Sequence, residues 1–432
     1  MVARVARLVG TILEQNSQTY IVSIPEQLYP GGGLGRPIRY AMSREVVLGI
    51  DFGSSTTSAG ALIGDRIELL QDQGDRVIPS VVHIPDRGAP EVGRRAAMKA
   101  LSEPTRVIRS VKRLLGLPAS SELVDQWAAS HPTPIEKRGD RVILKMGAGD
   151  FAPEQVAAQV LARVRDLAET RFGATIKRVV MTCSAAAPAG YRDALTRAAR
   201  IAHLEIVDLV SEPIAGALAL DLHRQDLNRR ILICDFGGGT FDVSAVVQQD
   251  MRFSPVAVAG DHWLGGDDLD VALAEAMAGL IVRKTGYDMH RDLVRWNELV
   301  YRCELAKRQL STSRDVPFVM TEAYVQDGAR RDLRFTIDEG WAAGIWGKLL
   351  ARGRKVIETG LARAGWTPAS VDVVGLVGGS SQTLAFRRMI SDMFDPNRVT
   401  VPHDAETAVA IGATLLTARH QNITSPMRTL VA

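Results

Sequence analysis

Cysteine is scarce. The 432 residues contain three, Cys183, Cys234 and Cys303, odd in number and far apart. That excludes a disulfide framework, offers no zinc-ligand spacing and suits a reducing compartment. Aromatic residues make up only 5%, so no carbohydrate- or base-stacking surface is advertised. No apolar run approaches the roughly 18 residues that a membrane span requires. An excess of one charge is missing as well. The 52 Lys and Arg stand against 49 Asp and Glu, with a formal net charge of +3. That argues against a nucleic-acid binder. What is present is 46% hydrophobic and 23% charged, an ordinary globular composition. The length allows roughly two to four structural units. A cytoplasmic enzyme or ATPase of the α/β class survives these exclusions.

Residues 1–44 read as an extension. Arg4 and Arg7 hint at a targeting peptide, but Glu14 and Gln15 interrupt any apolar segment and no small-residue cleavage site follows. Leu8–Leu13 and Thr19–Ile24 suit a small hairpin, and Pro30-Gly-Gly-Gly33 is a break. A second reading places the natural start at Met42, just before a strand.

From Val46 onward strands and helices alternate. Val46–Asp51, with Ala61–Ile67 as its hairpin partner, Ile176–Cys183, Ile231–Asp235 and Val371–Val377 read as strands. Pro153–Thr170, Ala189–Ala202, Leu269–Lys284, Leu293–Leu310, Trp341–Ala364 and Glu406–Arg419 read as helices. Alternation of this kind implies mixed sheets covered by helices. Within it lies a repeat. Asp51-Phe-Gly-Ser-Ser-Thr56 and Asp235-Phe-Gly-Gly-Gly-Thr240 share one scheme and both follow an apolar strand. One copy per half implies two similar lobes facing each other, not a solenoid of short period.

Each copy delivers a carboxylate and then a tight glycine turn. Such turns bring backbone N–H groups close to a ligand, and the hydroxyls of Ser54, Ser55 and Thr240 add short donors. Two hairpins of this kind suit a polyphosphate clamped between lobes, with Asp51 and Asp235 holding Mg²⁺ through waters. Two other signals fail in context. His290-Arg-Asp-Leu-Val-Arg-Trp-Asn297 fits a kinase catalytic loop, but both Asp-Phe-Gly copies precede it, so it reads as helix surface. A P-loop of the form G-x-x-x-x-G-K-[ST] is absent.

Taken in order, the motifs resemble a known family. Gly49-Ile-Asp-Phe-Gly-Ser-Ser55, Ile78-Pro-Ser80, Val92-Gly93, Val111-Lys-Arg-Leu-Leu-Gly116, Ser211-Glu-Pro-Ile-Ala-Gly-Ala-Leu-Ala219 and Asp235-Phe-Gly-Gly-Gly-Thr-Phe-Asp-Val-Ser244 come first. Leu264-Gly-Gly-Asp-Asp268, Cys303–Ser311, Val377-Gly-Gly-Ser380 and Ala408-Val-Ala-Ile-Gly-Ala413 follow. From about Glu45 to about Arg419 the chain resembles the nucleotide-binding domain of the 70-kilodalton heat-shock chaperones, DnaK-type, within the actin-like ATPase superfamily. The resemblance implies an α/β actin-like fold of two lobes, each a mixed sheet flanked by helices, with ATP or ADP and Mg²⁺ (and optionally K⁺) in the cleft. The lobes would be 45–229 and 230–400, with a closing helix over 401–419 and a tail over 420–432.

The resemblance also assigns roles. Lys112 and Glu212 would stand beside the γ-phosphate, Asp242 and Thr240 would act from the other lobe, and Asp51, Asp235 and Glu212 would serve the metal. Gly53, Ser54, Ser55, Gly237, Gly238, Gly239, Gly265 and Gly266 would cradle phosphates. Glu304, Lys307, Arg308 and Ser311 share one helix face. With Gly378, Gly379, Ser380, Gln382 and Glu406 they would hold the adenosine. Three departures stand out. Ser184 replaces a proline of the family's nucleotide relay, although Arg192 of that relay remains. Gln382 replaces a second adenine-sandwiching arginine, and Glu406 replaces an aspartate. The family's linker and peptide-clamping domain are not matched by the residues after Arg419.

The leading reading is a slowly ATP-hydrolysing, chaperone-like protein lacking a peptide clamp and acting through J-domain or exchange-factor partners on protein clients, without nucleic acid or membrane. A nucleotide-gated scaffold or filament former is the alternative, and a sugar or acetate kinase a third.

Overall fold

The computed structural model describes residues 46–421 except 65, 148, 185–186, 188–189, 221–227 and 250–251, together with the strand Tyr20–Ile21. The two repeat copies build matching halves. Val47–Phe52 pairs antiparallel with Thr56–Ile63 and parallel with Arg178–Cys183, in a sheet completed by Arg66–Leu69, Glu205–Ser211 and the short strand Ile78–Pro79. Arg229–Phe236 pairs antiparallel with Phe241–Gln249 and parallel with Val373–Val377. Arg252–Asp261, Val399–Thr400 and Tyr20–Ile21 complete that second sheet. In both sheets the strand before the Asp-Phe-Gly turn lies between a hairpin partner and a parallel neighbour. Leu48 and Ile50 in one, and Leu232, Ile233 and Cys234 in the other, are fully buried. Coverage on both faces is what allows so apolar a strand.

Two helices tie the sheets together. Glu212–Ala219 continues directly from the strand Glu205–Ser211, and Ala408–Leu416 packs against it and against Val47–Phe52. An apolar cluster joins both sheets through this pair, including Val47, Ile214, Ile233, Val377 and Ile411. The crossing is backbone on backbone, for a Cβ at Gly412 would fall inside the carbonyl group of Ala215. On either side of this joint each sheet has its own core. Trp127 and the helix Pro153–Phe172 anchor the first, and Phe236, Phe241, Phe386 and Trp346 the second.

The structure corrects several boundaries. The first hairpin returns at Thr56, not Ala61, because a three-residue turn suffices. The closing helix starts at Ala408 and tightens to a 3-10 turn over Thr417–His420. Residues 290–297 are not a uniform helix surface. Met289–Arg291 is a 3-10 turn, and the Asp292 carboxylate accepts the backbone N–H of Arg295 to start the helix Leu293–Leu310. A long antiparallel pair, Asp315–Gln326 with Ala329–Asp338, went unread. Its alternation Val316, Phe318, Met320 is broken at Glu322 by a shift in register. Of the hairpin expected near the N-terminus, Tyr20–Ile21 pairs instead with Phe253 and Arg252, and the rest lies outside the described residues.

Because the joint between the tying helices has no room for a side chain, Gly412→Ala should lower the unfolding free energy by about 1–3 kcal/mol. That loss stands against the ~1 kcal/mol that alanine offers a helix interior. The midpoint of urea unfolding measures it, and an unshifted midpoint would contradict the packing.

Candidate active site

Both Asp-Phe-Gly turns open toward each other at the base of the cleft. In the second, the N–H of Gly237 donates to Thr240 O at 3.1 Å, which closes the turn. The hairpin is held from outside its own sheet as well. The N–H groups of Gly266 and Asp267 donate to the carbonyls of Gly237 and Gly238, and Ser380 Oγ donates to Gly237 O at 2.8 Å. Thus Gly266 and Ser380 position the hairpin directly. The two hairpins nearly touch, for a Cβ at Gly238 would overlap the Ser55 hydroxyl and one at Gly239 would press on Ser54. Ser55 Oγ donates to both Asp267 oxygens at 2.8 and 2.7 Å, and Ser110 Oγ reaches the same carboxylate at 3.0 Å.

Behind the hairpins lies a set of carboxylates around one ammonium. Lys112 Nζ donates to Glu212 Oε1 at 2.9 Å, with the two side chains 9% and 6% exposed. Glu212 is the first residue of its helix, where a carboxylate also meets the positive end of the helix dipole. Asp51 accepts from Thr182 Oγ1 at 2.9 Å, and Asp242 accepts from Ser184 Oγ at 3.2 Å. Ser184, which stands where the resembling family has proline, therefore links the first sheet to the second. Burial, followed by the Glu212 charge, raises the Asp51 carboxyl to about 6 and that of Asp242 to about 7. Burial together with Glu212, Asp51 and Asp242 pushes Asp235 well above the ordinary range. Burial alone would lower the Lys112 ammonium, but Glu212, Tyr191 and Asp51 hold it well above its usual value.

The other end of the cleft belongs to the helix Leu293–Leu310 and the loop after Val377. Arg308 bridges Glu304 and Glu406, both at 3.2 Å, and all three line a cleft of about 1290 Å³ that also takes in Ser54, Ser55 and Asp267. Gly379 lies against the Glu406 carboxylate and Gly378 against Asp235. Gly265 and Gly53 shape the neighbouring turns, where Gly265 N–H donates to Asp268 and Gly53 O accepts from Ser80. Three residues of the adenosine set are otherwise engaged. Lys307 is buried, donating to Asp270 at 2.7 Å and Gly266 O at 2.8 Å. Ser311 Oγ donates back to Lys307 O at 3.5 Å. Gln382 Oε1 accepts from Arg387, so the helix Leu384–Ser391 that follows the loop brings a guanidinium to it.

Sequence reasoning passed over Arg113, although it adjoins Lys112. Its Nε donates to Gly239 O at 3.1 Å, its guanidinium pairs with Asp268 at 2.9 Å and it lies over the Trp263 ring at 4.3 Å. Asp267 and Asp268 were also visible, inside the Leu264–Asp268 motif. Trp263 carried no signal.

The donor set fits a hydrated Mg²⁺. Four carboxylates face one lysine, all hard oxygen donors, so a cation is electrostatically wanted. Among the described residues no three of His, Cys, Asp and Glu stand close enough to ligate an ion directly. An ion that keeps its water shell suits that spacing.

Asp51 and Asp242 carry a pH signature. Their folded values, about 6 and about 7, lie above the ordinary 3.8. The folded state therefore holds protons that the unfolded chain releases, so stability falls as pH rises through that window and the penalty is complete above the folded values. In the metal-free protein, Asp242→Asn should raise the melting temperature more at about pH 8 than at about pH 5. Equal shifts at both would mean that Asp242 is ionised throughout.

The model of the Hsp70 protein family matches residues 47–427. That span contains both hairpins, Lys112, the two tying helices and the loop after Val377. Mixed sheets flanked by helices, tied by paired helices beneath a cleft, are the actin-like ATPase fold. The chain belongs to the Hsp70 family, whose members are chaperone-type ATP-binding proteins.

Proposed function

We propose that this chain binds ATP with Mg²⁺ in the cleft and hydrolyses it slowly, as a nucleotide-driven, chaperone-like protein that works with co-chaperones and protein clients. One observation carries the reading. Four carboxylates and a lysine converge behind two facing glycine hairpins, an arrangement with an unmet need for a cation and backbone donors set for phosphates. The two sheets are taken as lobes over 45–229 and 230–400, with 401–419 returning to the first. Among the described residues no helix is long and apolar enough to cross a membrane.

In the proposed reaction a water oxygen bonds to the γ-phosphorus as the bond to the bridging oxygen breaks. ADP and phosphate leave, and the water's proton passes to solvent. Asp51 and Asp235 would hold Mg²⁺ through waters, and the ion would supply neutralisation of phosphate charge. Lys112, pinned by Glu212, keeps a positive charge where negative charge spreads in transfer. Asp242, near neutral pH in its folded value, is suited to orient the attacking water through its carboxylate. Gly237, Gly238, Gly239, Gly53, Ser54, Ser55 and Thr240 bind the phosphates. Arg308, Glu304 and Glu406 meet the adenosine, and Gly378, Gly379 and Ser380 form its loop. Lys307 and Gly266 act by holding the second hairpin rather than by reaching the nucleotide.

Phosphate release with Mg²⁺ and with EDTA, alongside ATP titration calorimetry, tests the reading. Lys112→Ala should retain ATP binding and lose at least about tenfold in single-turnover hydrolysis, roughly 1.4 kcal/mol of barrier. Turnover equal to the parent's would remove Lys112 from the mechanism.

A further inference from the structure

The corner behind the hairpins holds one more polar group, which no motif pointed to. Tyr191 is 4% exposed, and among the described residues its buried hydroxyl has no hydrogen-bond partner. It lines a small cavity of about 40 Å³ with Lys112, Ser54, Ser184 and Thr240. A space of that size admits one water or one small group of oxygen atoms.

The placement of Tyr191 is built into the backbone. It is the first residue of the helix Tyr191–Ile201. Gly116, at φ +70°, ends the segment that carries Lys112 and lies directly on that helix start. A Cβ at Gly116 would stand 2.5 Å from Tyr191 N and 2.5 Å from the carbonyl carbon of Gly190. The lysine segment and the tyrosine are thus seated on each other. The phenol feels the charges of Lys112, Glu212 and Asp51, and burial holds it well above its ordinary range, so it keeps its proton. A buried O–H with no acceptor is costly, and packing alone would favour phenylalanine.

We infer that Tyr191 is a further substrate ligand, donating its O–H to a γ-phosphoryl oxygen of ATP beside Lys112. The inference rests on the ATPase reading above. No proton is transferred. The hydroxyl supplies a neutral donor where the metal and the lysine supply charge, and its contact strengthens as negative charge spreads over the phosphoryl oxygens.

Tyr191→Phe in the full chain removes this one atom. Four quantities are compared with the parent: melting temperature, ADP affinity, affinity for ADP with beryllium fluoride as a phosphoryl mimic, and single-turnover hydrolysis. The expected result is unchanged melting and ADP affinity with about a tenfold loss in hydrolysis, in the fluoride-dependent gain in affinity, or in both. Retention of both γ-phosphoryl readouts overturns the inference, as does a parallel loss in ADP affinity and melting temperature. A parent that hydrolyses and gains affinity with fluoride, matched by the variant, defeats the Tyr191 assignment alone. If the parent binds nucleotide without hydrolysing it, the fluoride comparison decides. A parent that binds no adenine nucleotide defeats the ATPase reading and the inference together.

Discussion

Everything around the cleft answers to one electrostatic problem, the gathering of Asp51, Asp235, Asp242 and Glu212 around the single ammonium of Lys112. Removed from water, like charges cannot all stay ionised at their ordinary values, and the raised Asp51, Asp235 and Asp242 carboxyls express that conflict. A core selected for stability alone would replace such a set with apolar residues. Its presence, at the point where two strands end in glycine turns, costs the fold stability wherever the raised carboxyls ionise.

The scaffold must hold these groups without ordering them through their own attractions. It does so with backbone. Each carboxylate of the repeat sits at the last turn of a strand sandwiched between an antiparallel and a parallel partner, so its position follows from ladder hydrogen bonds. Glu212 begins a helix that is packed against Ala408–Leu416 with no side chain between their backbones. Above that joint the halves meet through polar contacts, Ser55 and Ser110 to Asp267, Arg113 to Gly239 O and Asp268, and Ser184 to Asp242, and through Trp263, which packs against the first core. Polar contacts exchange readily with water or ligand, whereas the apolar joint beneath them does not. The two sheets therefore share an apolar floor beneath walls joined largely by polar contacts.

Much of this was legible in the chain. The repeated Asp-Phe-Gly scheme marked two matching halves, and both copies end strands of the same topology. The bounds Leu293–Leu310 were read from the sequence and match the helix observed, but the Asp292 cap that starts it came only from the structure. The spacing of Glu304, Lys307, Arg308 and Ser311 placed them on one helix face, but it could not reveal that Lys307 turns inward to Asp270. That choice depends on a carboxylate 37 positions away in sequence. The long pair Asp315–Gln326 and Ala329–Asp338 escaped notice because its second strand is mostly exposed and charged, with little alternation to read.

By itself the sequence determined the chemistry's vocabulary: carboxylates before glycine turns, a lysine in Val111–Gly116, and family membership across most of the chain. Such features are local, written in the order and spacing of residue types. Only the tertiary structure decided which groups share a volume. It set Tyr191 beside Lys112, laid Arg113 between Gly239 and Trp263, and joined Ser184 to Asp242. Those pairings span tens to over a hundred positions. They follow from how two sheets close on two helices, a property of the packed backbone that no stretch of sequence carries alone.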